Sequence, residues 1–323
     1  MKKKIIITGG SGFLTKNLVK HLDLNKFDVV LLTRDDAKLK DLKINYNINI
    51  KKINWENTND IKEKFTGANY IIHTAAMVPS RSDANNSTII KSSLKICKKI
   101  CSLNLDVEKF IYISTLRTCI NTKKTIFTDD TKYNFYKFDT AYGRSKYLSE
   151  KYLIKHKKNL PLIICSPAHI LGPESQDKSK SNEFIYNIFK KKVNFYINTK
   201  YAIVDVEDVC EAINLIIDKS NINEKYLICN FNPSFYKLIS LCEEFQGKKI
   251  KIYLPMILIN LISIFFESMN KIFKIKNLPI NRSSFHFASL NGEFKGKKIE
   301  QLGLKYTELN KTIRKLFEFY DKN

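Results

Sequence analysis

The chain has 323 residues, 44% of them hydrophobic, which is enough for one large or two ordinary domains with a buried core. Its formal net charge is +23, but lysines are dispersed along the chain and no basic stripe is interleaved with aromatic residues, which argues against nucleic-acid binding. The seven cysteines form no CxxC pair and have no histidine partners, so neither a metal site nor a disulfide framework is predicted.

The first predicted elements are a strand, a glycine turn and a helix. Ile5, Ile6 and Ile7 are β-branched residues typical of a short buried strand, and the glycine-rich stretch 8–12 follows at once. Phe13 and later apolar residues then recur at helical spacing. Glycines permit a tight turn and close approach of a phosphate, and a helix N-terminus attracts an anion. This stretch therefore predicts a binding site for a dinucleotide pyrophosphate.

Four further predicted strands each end in small or polar residues: 27–32 before Thr33-Arg34, 48–53 before Asn54, 70–73 before Thr74-Ala75-Ala76, and 110–113 before Ser114-Thr115. Helices are predicted between them at 35–47, 61–65 and 89–103. This alternation predicts a doubly wound parallel sheet. Ligands of such sheets lie beyond the carboxyl ends of the strands, so the five strand ends are expected to meet at one site.

The end of the second strand bears on the choice of cofactor. An acidic residue there would bind the ribose 2′-hydroxyl of NAD(H), whereas an arginine accommodates the 2′-phosphate of NADP(H). Thr33 stands where the acid is expected, and Arg34 follows it. The sequence thus favours NADP(H) over NAD(H), although an ordinary exposed arginine after a strand would look the same.

Tyr142 and Lys146 are four residues apart on a predicted helix and therefore share a face. A phenol has a pKa near 10, and lowering it by roughly three units, about 4 kcal/mol, would let it exchange protons near neutrality. A lysine ammonium and an oxidised nicotinamide both favour the phenolate, and a hydroxyl of Thr115 or Ser114 could hold the substrate oxygen. A solvated helix face has the same spacing, so the pair alone leaves both interpretations open.

Taken together, the stretches 8–12, 73–76, 114–115 and 142–146 resemble the extended short-chain dehydrogenase/reductase family, of the NAD-dependent epimerase/dehydratase type that modifies nucleotide sugars. Segments 166–173, 201–209 and 297–304 are similar to the family's post-sheet loop, return segment and terminal helix-and-turn, so the resemblance covers the whole chain. It implies a Rossmann domain at 1–172 and a smaller C-terminal α/β substrate domain at 173–323, with some segments returning to the sheet.

The resemblance also implies a role for individual residues. Tyr142 would be the general acid/base, Lys146 would bind the nicotinamide ribose, and Thr115 would be the catalytic hydroxyl. The implied cofactor contacts are Gly9, Gly12, Phe13, Leu14, Arg34, Asn54, Ala75, Ala76, Tyr142, Lys146, Pro167 and Ile170. Weaker candidates for substrate contact are Ser80, Arg81 and Arg282.

The chain departs from the family pattern at several positions. Thr15 replaces the third glycine, where a threonine must be accommodated between helix and strand. Leu116 and Arg117 stand where sugar 4,6-dehydratases have an Asp-Glu pair, which argues against dehydration. We therefore expect ketoreduction or epimerisation of a nucleoside-diphosphate sugar. The alternatives are a hydroxysteroid-like or other small carbonyl/alcohol dehydrogenase and a non-catalytic nucleotide-sensing protein.

The most hydrophobic stretch, 253–266, is too short for a typical membrane span of about 20 residues. It is expected to be a buried or dimer-packing helix, which suits a homodimer, and docking on a membrane surface is the less favoured alternative. Only three apolar residues separate Lys4 from Thr8-Gly9, so no signal peptide is expected and the protein is predicted to be cytoplasmic.

Overall fold

The computed structural model describes residues 2–75, 87–134, 140–173, 182–190, 195–247, 252–273 and 282–322. The strands within these ranges are β1 (Lys3–Thr8), β2 (Phe27–Thr33), β3 (Asn49–Lys52), β4 (Tyr70–His73), β5 (Lys109–Ile113), β6 (Ile126–Thr128), β7 (Leu162–Pro167), β8 (His169–Leu171), β9 (Phe195–Tyr196), β10 (Ile203–Asp205), β11 (Lys225–Ile228), β12 (Ile252–Tyr253) and β13 (Glu293–Lys295). The helices are α1 (Phe13–His21), α2 (Lys40–Asn45), α3 (Thr58–Phe65), α4 (Ser87–Ser102), α5 (Ala141–His156), α6 (Glu183–Phe189), α7 (Val206–Lys219), α8 (Phe235–Gln246), α9 (Met256–Phe273), α10 (Arg282–Ser289), α11 (Lys297–Gln301) and α12 (Leu309–Lys322).

Seven parallel strands form the central sheet in the order β11-β7-β5-β4-β1-β2-β3. Successive side chains of a strand point to opposite faces, and β1 shows this directly. Ile5 and Ile7 pack with Leu18 of α1 and Ile213 of α7, whereas Ile6 packs on the other face with residues of α3, α4 and α5. The predicted doubly wound Rossmann architecture is confirmed, with one layer of helices on each face of the sheet.

The second half of the chain returns to this sheet and also builds a smaller cluster of its own. β11 pairs with β7 at one edge of the sheet. α6, α8 and α12 bury Ile185, Leu238 and Ile313 against one another and against Ile203 of β10. The short parallel pairs β6–β13 and β8–β10 join segments on either side of residue 172, whereas β9–β12 lies within the second half of the chain.

Three local predictions need correction. The stretch 166–173 was expected to be a loop after the sheet, but Ser166 and Pro167 complete β7, where they pair with Leu227 and Ile228. The helix expected at 35–47 is a single 3-10 turn at Ala37–Leu39 followed by the short α2. The apolar stretch 253–266 does not form a buried helix, because α9 leaves several of its large apolar side chains exposed: Ile257, Leu258, Leu261, Ile264 and Phe265. Among the helices described, none is both long and apolar enough to cross a membrane.

Gly296, just before α11, lies directly against the β11 backbone. A Cβ added at this position would be 1.7 Å from the Leu227 carbonyl oxygen, so any side chain must push α11 and β11 apart. Gly247 offers a contrast, since an added Cβ would meet nothing within 4 Å and only its φ of +66° disfavours a side chain.

We therefore expect Gly296→Ala to lower the free energy of unfolding by about 3 kcal/mol, at the upper end of overpacking costs. Gly247→Ala should cost about 1 kcal/mol, the strain of a left-handed residue. Urea unfolding of both variants checks this, and equal midpoints for the two would contradict the close backbone contact at Gly296.

Candidate functional site

A cavity of about 1390 Å³ runs along the carboxyl ends of the sheet strands. Its walls include most of the residues for which the sequence predicts a role in cofactor binding or catalysis: Gly9, Gly12, Phe13, Leu14, Arg34, Asn54, Ala75, Thr115, Tyr142, Lys146, Pro167 and Ile170. Ala76, Ser80 and Arg81 lie outside the described residues, and Arg282 begins α10 but its side chain is not described. The structure thus places these residues around one cavity, while their individual roles stay predictions.

The glycine turn brings bare backbone to one end of this cavity. Gly9 has a φ of +74°, and a Cβ there would be 2.6 Å from Thr74 Oγ1 and 3.0 Å from the Ala75 backbone, so a side chain is excluded at this position. The Gly12 N–H donates to the Gly9 carbonyl at 2.9 Å, and Gly12 is the N-cap residue of α1. The N-terminal N–H groups of a nine-residue helix therefore face the cavity, the arrangement that binds a pyrophosphate.

Thr15, which replaces the third family glycine, is completely buried and is accommodated by hydrogen bonding. Thr74 Oγ1 donates to the Thr8 carbonyl at 2.5 Å and lies 3.0 Å from Thr15 Oγ1, so the Thr15 hydroxyl is the donor in that second contact. A hydroxyl in place of the glycine hydrogen therefore links α1 to the ends of β1 and β4.

His73 is a buried packing residue. Its ring stacks between Phe110 and Tyr112, and its Nδ1 lies 2.9 Å from Thr8 Oγ1. Burial and the nearby Lys146 lower the pKa of His73 to about 3, so the imidazole is neutral at physiological pH.

The end of the cavity beside β2 and β3 carries two cationic side chains, Arg34 and Lys52. Lys52 Nζ is 3.2 Å from the Asp36 carboxylate in an exposed ion pair. Thr33, at the position where NAD-binding members would have an acid, donates its hydroxyl to the Asp35 carbonyl at 2.9 Å. Sequence reasoning missed Lys52, although it ends the third strand and so falls under the same strand-end rule that indicated Arg34.

Tyr142 and Lys146 lie in the first two turns of α5, whose N-cap Thr140 accepts a hydrogen bond from the Gly143 N–H at 3.0 Å. Lys146 is buried, and its Nζ donates to the Ile113 carbonyl at 2.5 Å while lying 4.8 Å from the centroid of the Tyr112 ring. The lysine is therefore anchored to the end of β5, and burial lowers its pKa to about 8.

The sequence-based expectation that Lys146 lowers the phenol pKa does not hold for the chain's own groups. Burial raises the pKa of Tyr142 to about 12, and the cation that opposes this is Arg117. The phenol therefore stays protonated at neutral pH, and only a further positive charge brought in beside it, such as an oxidised nicotinamide, would favour the phenolate.

These features fit a nicotinamide dinucleotide: a bare glycine turn and helix N-terminus at the centre, cations at the ribose end, and Tyr142, Lys146 and Thr115 at the other end. Comparison with known proteins agrees, since residues 5–229 match the model of the NAD dependent epimerase/dehydratase family. The chain belongs to this family. Its members bind a nicotinamide cofactor, and those in the extended short-chain dehydrogenase/reductase group include reductases and epimerases.

Curated relatives include several reductases. The chain is 26% identical over 251 residues to a Synechocystis sp. protein provisionally named dihydroflavonol 4-reductase, covering 75% of this chain and 72% of that protein. It is 25% identical to anthocyanidin reductase from Arabidopsis thaliana (72% and 77% covered). It is also 23% identical to the decarboxylating sterol-4-alpha-carboxylate 3-dehydrogenase of Dictyostelium discoideum (86% and 88%).

Solved structures of nucleotide-sugar enzymes share the fold. A nucleoside-diphosphate-sugar epimerase from Pseudomonas aeruginosa superposes with a TM-score of 0.77 at 15% identity, covering 100% of this chain and 99% of that one. UDP-glucose 4-epimerase from Thermotoga maritima, solved with UDP-glucose, gives 0.74 at 19% identity with 99% of both chains covered. At these identities the likeness establishes the architecture alone.

Sequence reasoning missed a buried carboxylate on α5, that of Glu150. Glu150 lies two turns after Tyr142 on α5 and accepts hydrogen bonds from Ser114 Oγ and, at 2.6 Å, from Thr118 Oγ1. Its other oxygen pairs with Lys225 Nζ of β11 at 2.9 Å. Burial alone would lower the pKa of Lys225, but the Glu150 carboxylate more than offsets this, so the pKa lies above its usual value. Ser114 and Thr115 both line the cavity, and the Ser114 hydroxyl donates to Glu150.

The substrate end of the cavity is largely apolar and aromatic. Its lining includes Leu116, Ile170, Ile197, Tyr201, Phe235 and Phe287. Two cations line it as well, and both have contacts: the Arg117 guanidinium lies 4.3 Å from the centroid of the Phe287 ring, and Lys200 forms an ion pair with Glu293. In the described residues no cluster of histidine, cysteine or acidic side chains could hold a metal ion.

The ion pair between Glu150 and Lys225 supports a stability prediction. Removing the charge of the buried Glu150 leaves the partly buried Lys225 ammonium uncompensated, so Glu150→Gln is expected to lower the free energy of unfolding by about 3 kcal/mol. The matched control is Glu56→Gln, which breaks the exposed pair with Lys95 and should leave the unfolding midpoint unchanged. Urea unfolding compares the two, and a Glu150→Gln midpoint equal to that of the control would contradict a compensated buried pair.

Proposed function

We propose that the protein is an NADP(H)-dependent reductase that acts on a carbonyl group of a ring-bearing, largely apolar substrate. The observation that carries the proposal is the placement of Thr115, Tyr142 and Lys146 on the wall of a cavity whose adjoining end is apolar and aromatic. The name of the Synechocystis relative, dihydroflavonol 4-reductase, supports this direction of reaction, because a dihydroflavonol is a ring-bearing ketone.

The bound nicotinamide would supply the hydride. The chain's own part is to hold the substrate oxygen and deliver a proton to it. The Thr115 hydroxyl holds that oxygen against the Tyr142 phenol, and the phenol donates its proton as the oxygen gains negative charge. Burial raises the pKa of Tyr142 to about 12, so the proton stays on the phenol at neutral pH until the developing alkoxide takes it. Lys146, anchored on Ile113, would hold the ribose beside the reacting atoms.

The second candidate is the nucleoside-diphosphate sugar oxidoreductase or epimerase predicted from the sequence. Its support is the pair of cations at the substrate end, Arg117 and Lys200, and a fold that it shares with UDP-glucose 4-epimerase over 99% of both chains. It is less well supported because Glu293 neutralises Lys200 and Arg117 lies over an aromatic ring, so neither cation is set apart for a diphosphate.

The reaction is tested by following NADPH oxidation with a dihydroflavonol, and by following conversion of UDP-glucose to its C4 epimer. Reduction of a ring-bearing carbonyl compound without epimerisation is the expected result.

Tyr142→Phe should then lower kcat by at least about a hundredfold, the usual contribution of a general acid, while NADPH binding measured by fluorescence is kept. Tyr147→Phe on the same helix, outside the cavity lining, is the matched control. Unchanged turnover in Tyr142→Phe would refute the proton-donor role, and epimerisation of UDP-glucose would move the assignment to the second candidate.

The cofactor preference is tested at Arg34. If its guanidinium binds the 2′-phosphate, Arg34→Ala should weaken NADPH binding about tenfold or more, the cost of losing a charge-assisted hydrogen bond, and leave NADH binding nearly unchanged. Arg314→Ala, an exposed arginine of α12, should alter neither. Titrations of both nucleotides with the three proteins give the answer. Equal losses for NADH and NADPH would show that Arg34 does not read the phosphate.

A further inference from the structure

The outward face of α9 is apolar, the reverse of an ordinary surface helix. Ile257 and Phe265 are 78% and 60% exposed, and Leu258, Leu261 and Ile264 are exposed beside them. Their spacing of three and four residues places them along one stripe of the helix. The opposite side buries Ile259 and Ser263, so a small polar residue faces the protein while large apolar ones face outward.

The stripe continues onto the adjoining strand and lies next to the substrate end of the cavity. Ile252 and Tyr253 of β12 are also exposed, and β12 pairs with β9. α9 packs against α10, which contributes Phe287 and Ala288 to the cavity wall. We call the exposed residues of β12 and α9 the α9 face: Ile252, Tyr253, Ile257, Leu258, Leu261, Ile264 and Phe265. An exposed apolar patch of this kind marks an interaction surface.

The residues that flank the α9 face in the sequence are mostly basic, and this charge favours an anionic partner. Between residues 245 and 292 the only acidic residue is Glu267, whereas the basic residues are Lys248, Lys249, Lys251, Lys271, Lys274, Lys276 and Arg282. Two copies of the chain meeting through an isologous contact would bring these like charges together. An anionic lipid surface would instead attract them while accepting the apolar side chains.

We propose that the α9 face docks the protein on the surface of an anionic lipid bilayer. The apolar stripe enters the boundary between headgroups and acyl chains, and the basic segments on either side of α9 in the sequence bind the anionic headgroups. Both contributions are needed for stable attachment, since a short apolar stripe alone buries little area and dispersed lysines alone bind weakly and reversibly at physiological salt.

The test is co-sedimentation of the full chain with vesicles of phosphatidylcholine containing phosphatidylserine, and with vesicles of phosphatidylcholine alone. The wild-type protein should bind the anionic vesicles, bind the neutral ones far more weakly, and be released by added salt. The double variant Ile257→Asp/Phe265→Asp should bind at least about tenfold more weakly, because two apolar side chains no longer leave water. Both changes are at exposed positions, so thermal unfolding of the variant should match the wild type.

Ile44→Asp is the matched control, because Ile44 is exposed to 81%, close to Ile257, and lies on α2 away from the α9 face. It introduces one negative charge, against two in the double variant, and should leave vesicle binding unchanged. The proposal is overturned if the wild-type protein stays in solution with the anionic vesicles, or if the double variant binds them as well as Ile44→Asp does. It is also overturned if light scattering shows a wild-type dimer that the double variant splits while neither binds vesicles, which would assign the face to a second copy.

Discussion

The geometry of the candidate active site depends on one buried carboxylate, that of Glu150. It joins three pieces of chain that are far apart in sequence: α5, which carries Tyr142 and Lys146, the end of β5 with its short following turn, and the first residue of β11. A buried charge of this kind is tolerated only when its partners are all in place. The hydroxyls of Ser114 and Thr118 and the Lys225 ammonium supply those partners, so the catalytic helix and the sheet edge are fixed relative to each other.

The same burial that fixes the site also sets the protonation of its groups. Enclosure favours the uncharged form of each group, so it raises the pKa of the Tyr142 phenol and lowers the pKa of the Lys146 ammonium. A phenol that keeps its proton is ready to act as an acid. Acting as a base would require an added positive charge nearby, such as that of an oxidised nicotinamide.

The parts of the site that the sequence predicts are those encoded in contiguous residues. The glycine turn at 8–12, Arg34 at a strand end and the four-residue spacing of Tyr142 and Lys146 each have a local pattern with a physical meaning, and the parallel order of the strands follows from the alternation of elements. Glu150 and Lys225 have no such pattern, because they are 75 residues apart and meet only through tertiary packing. Thr15 was recognised as a departure, but its hydrogen bond to Thr74 depends on where β4 ends in space. The strand β7 was missed because its Ser-Pro ending looks like a loop when it is considered alone.

Of the described residues, the two cations that line the substrate end, Lys200 and Arg117, both have contacts within the chain. Lys200 is paired with Glu293, and the Arg117 guanidinium lies over the Phe287 ring, where its planar face interacts with the aromatic π-system. A diphosphate entering here would have to compete with both contacts, whereas an aromatic ring could stack beside them at little cost. The charge that remains available is at the ribose end, where Arg34 lines the cavity, and in the sequence on both sides of α9. This distribution of charge supports the proposed NADP(H) cofactor and the proposed docking of the α9 face more than it supports an anionic substrate.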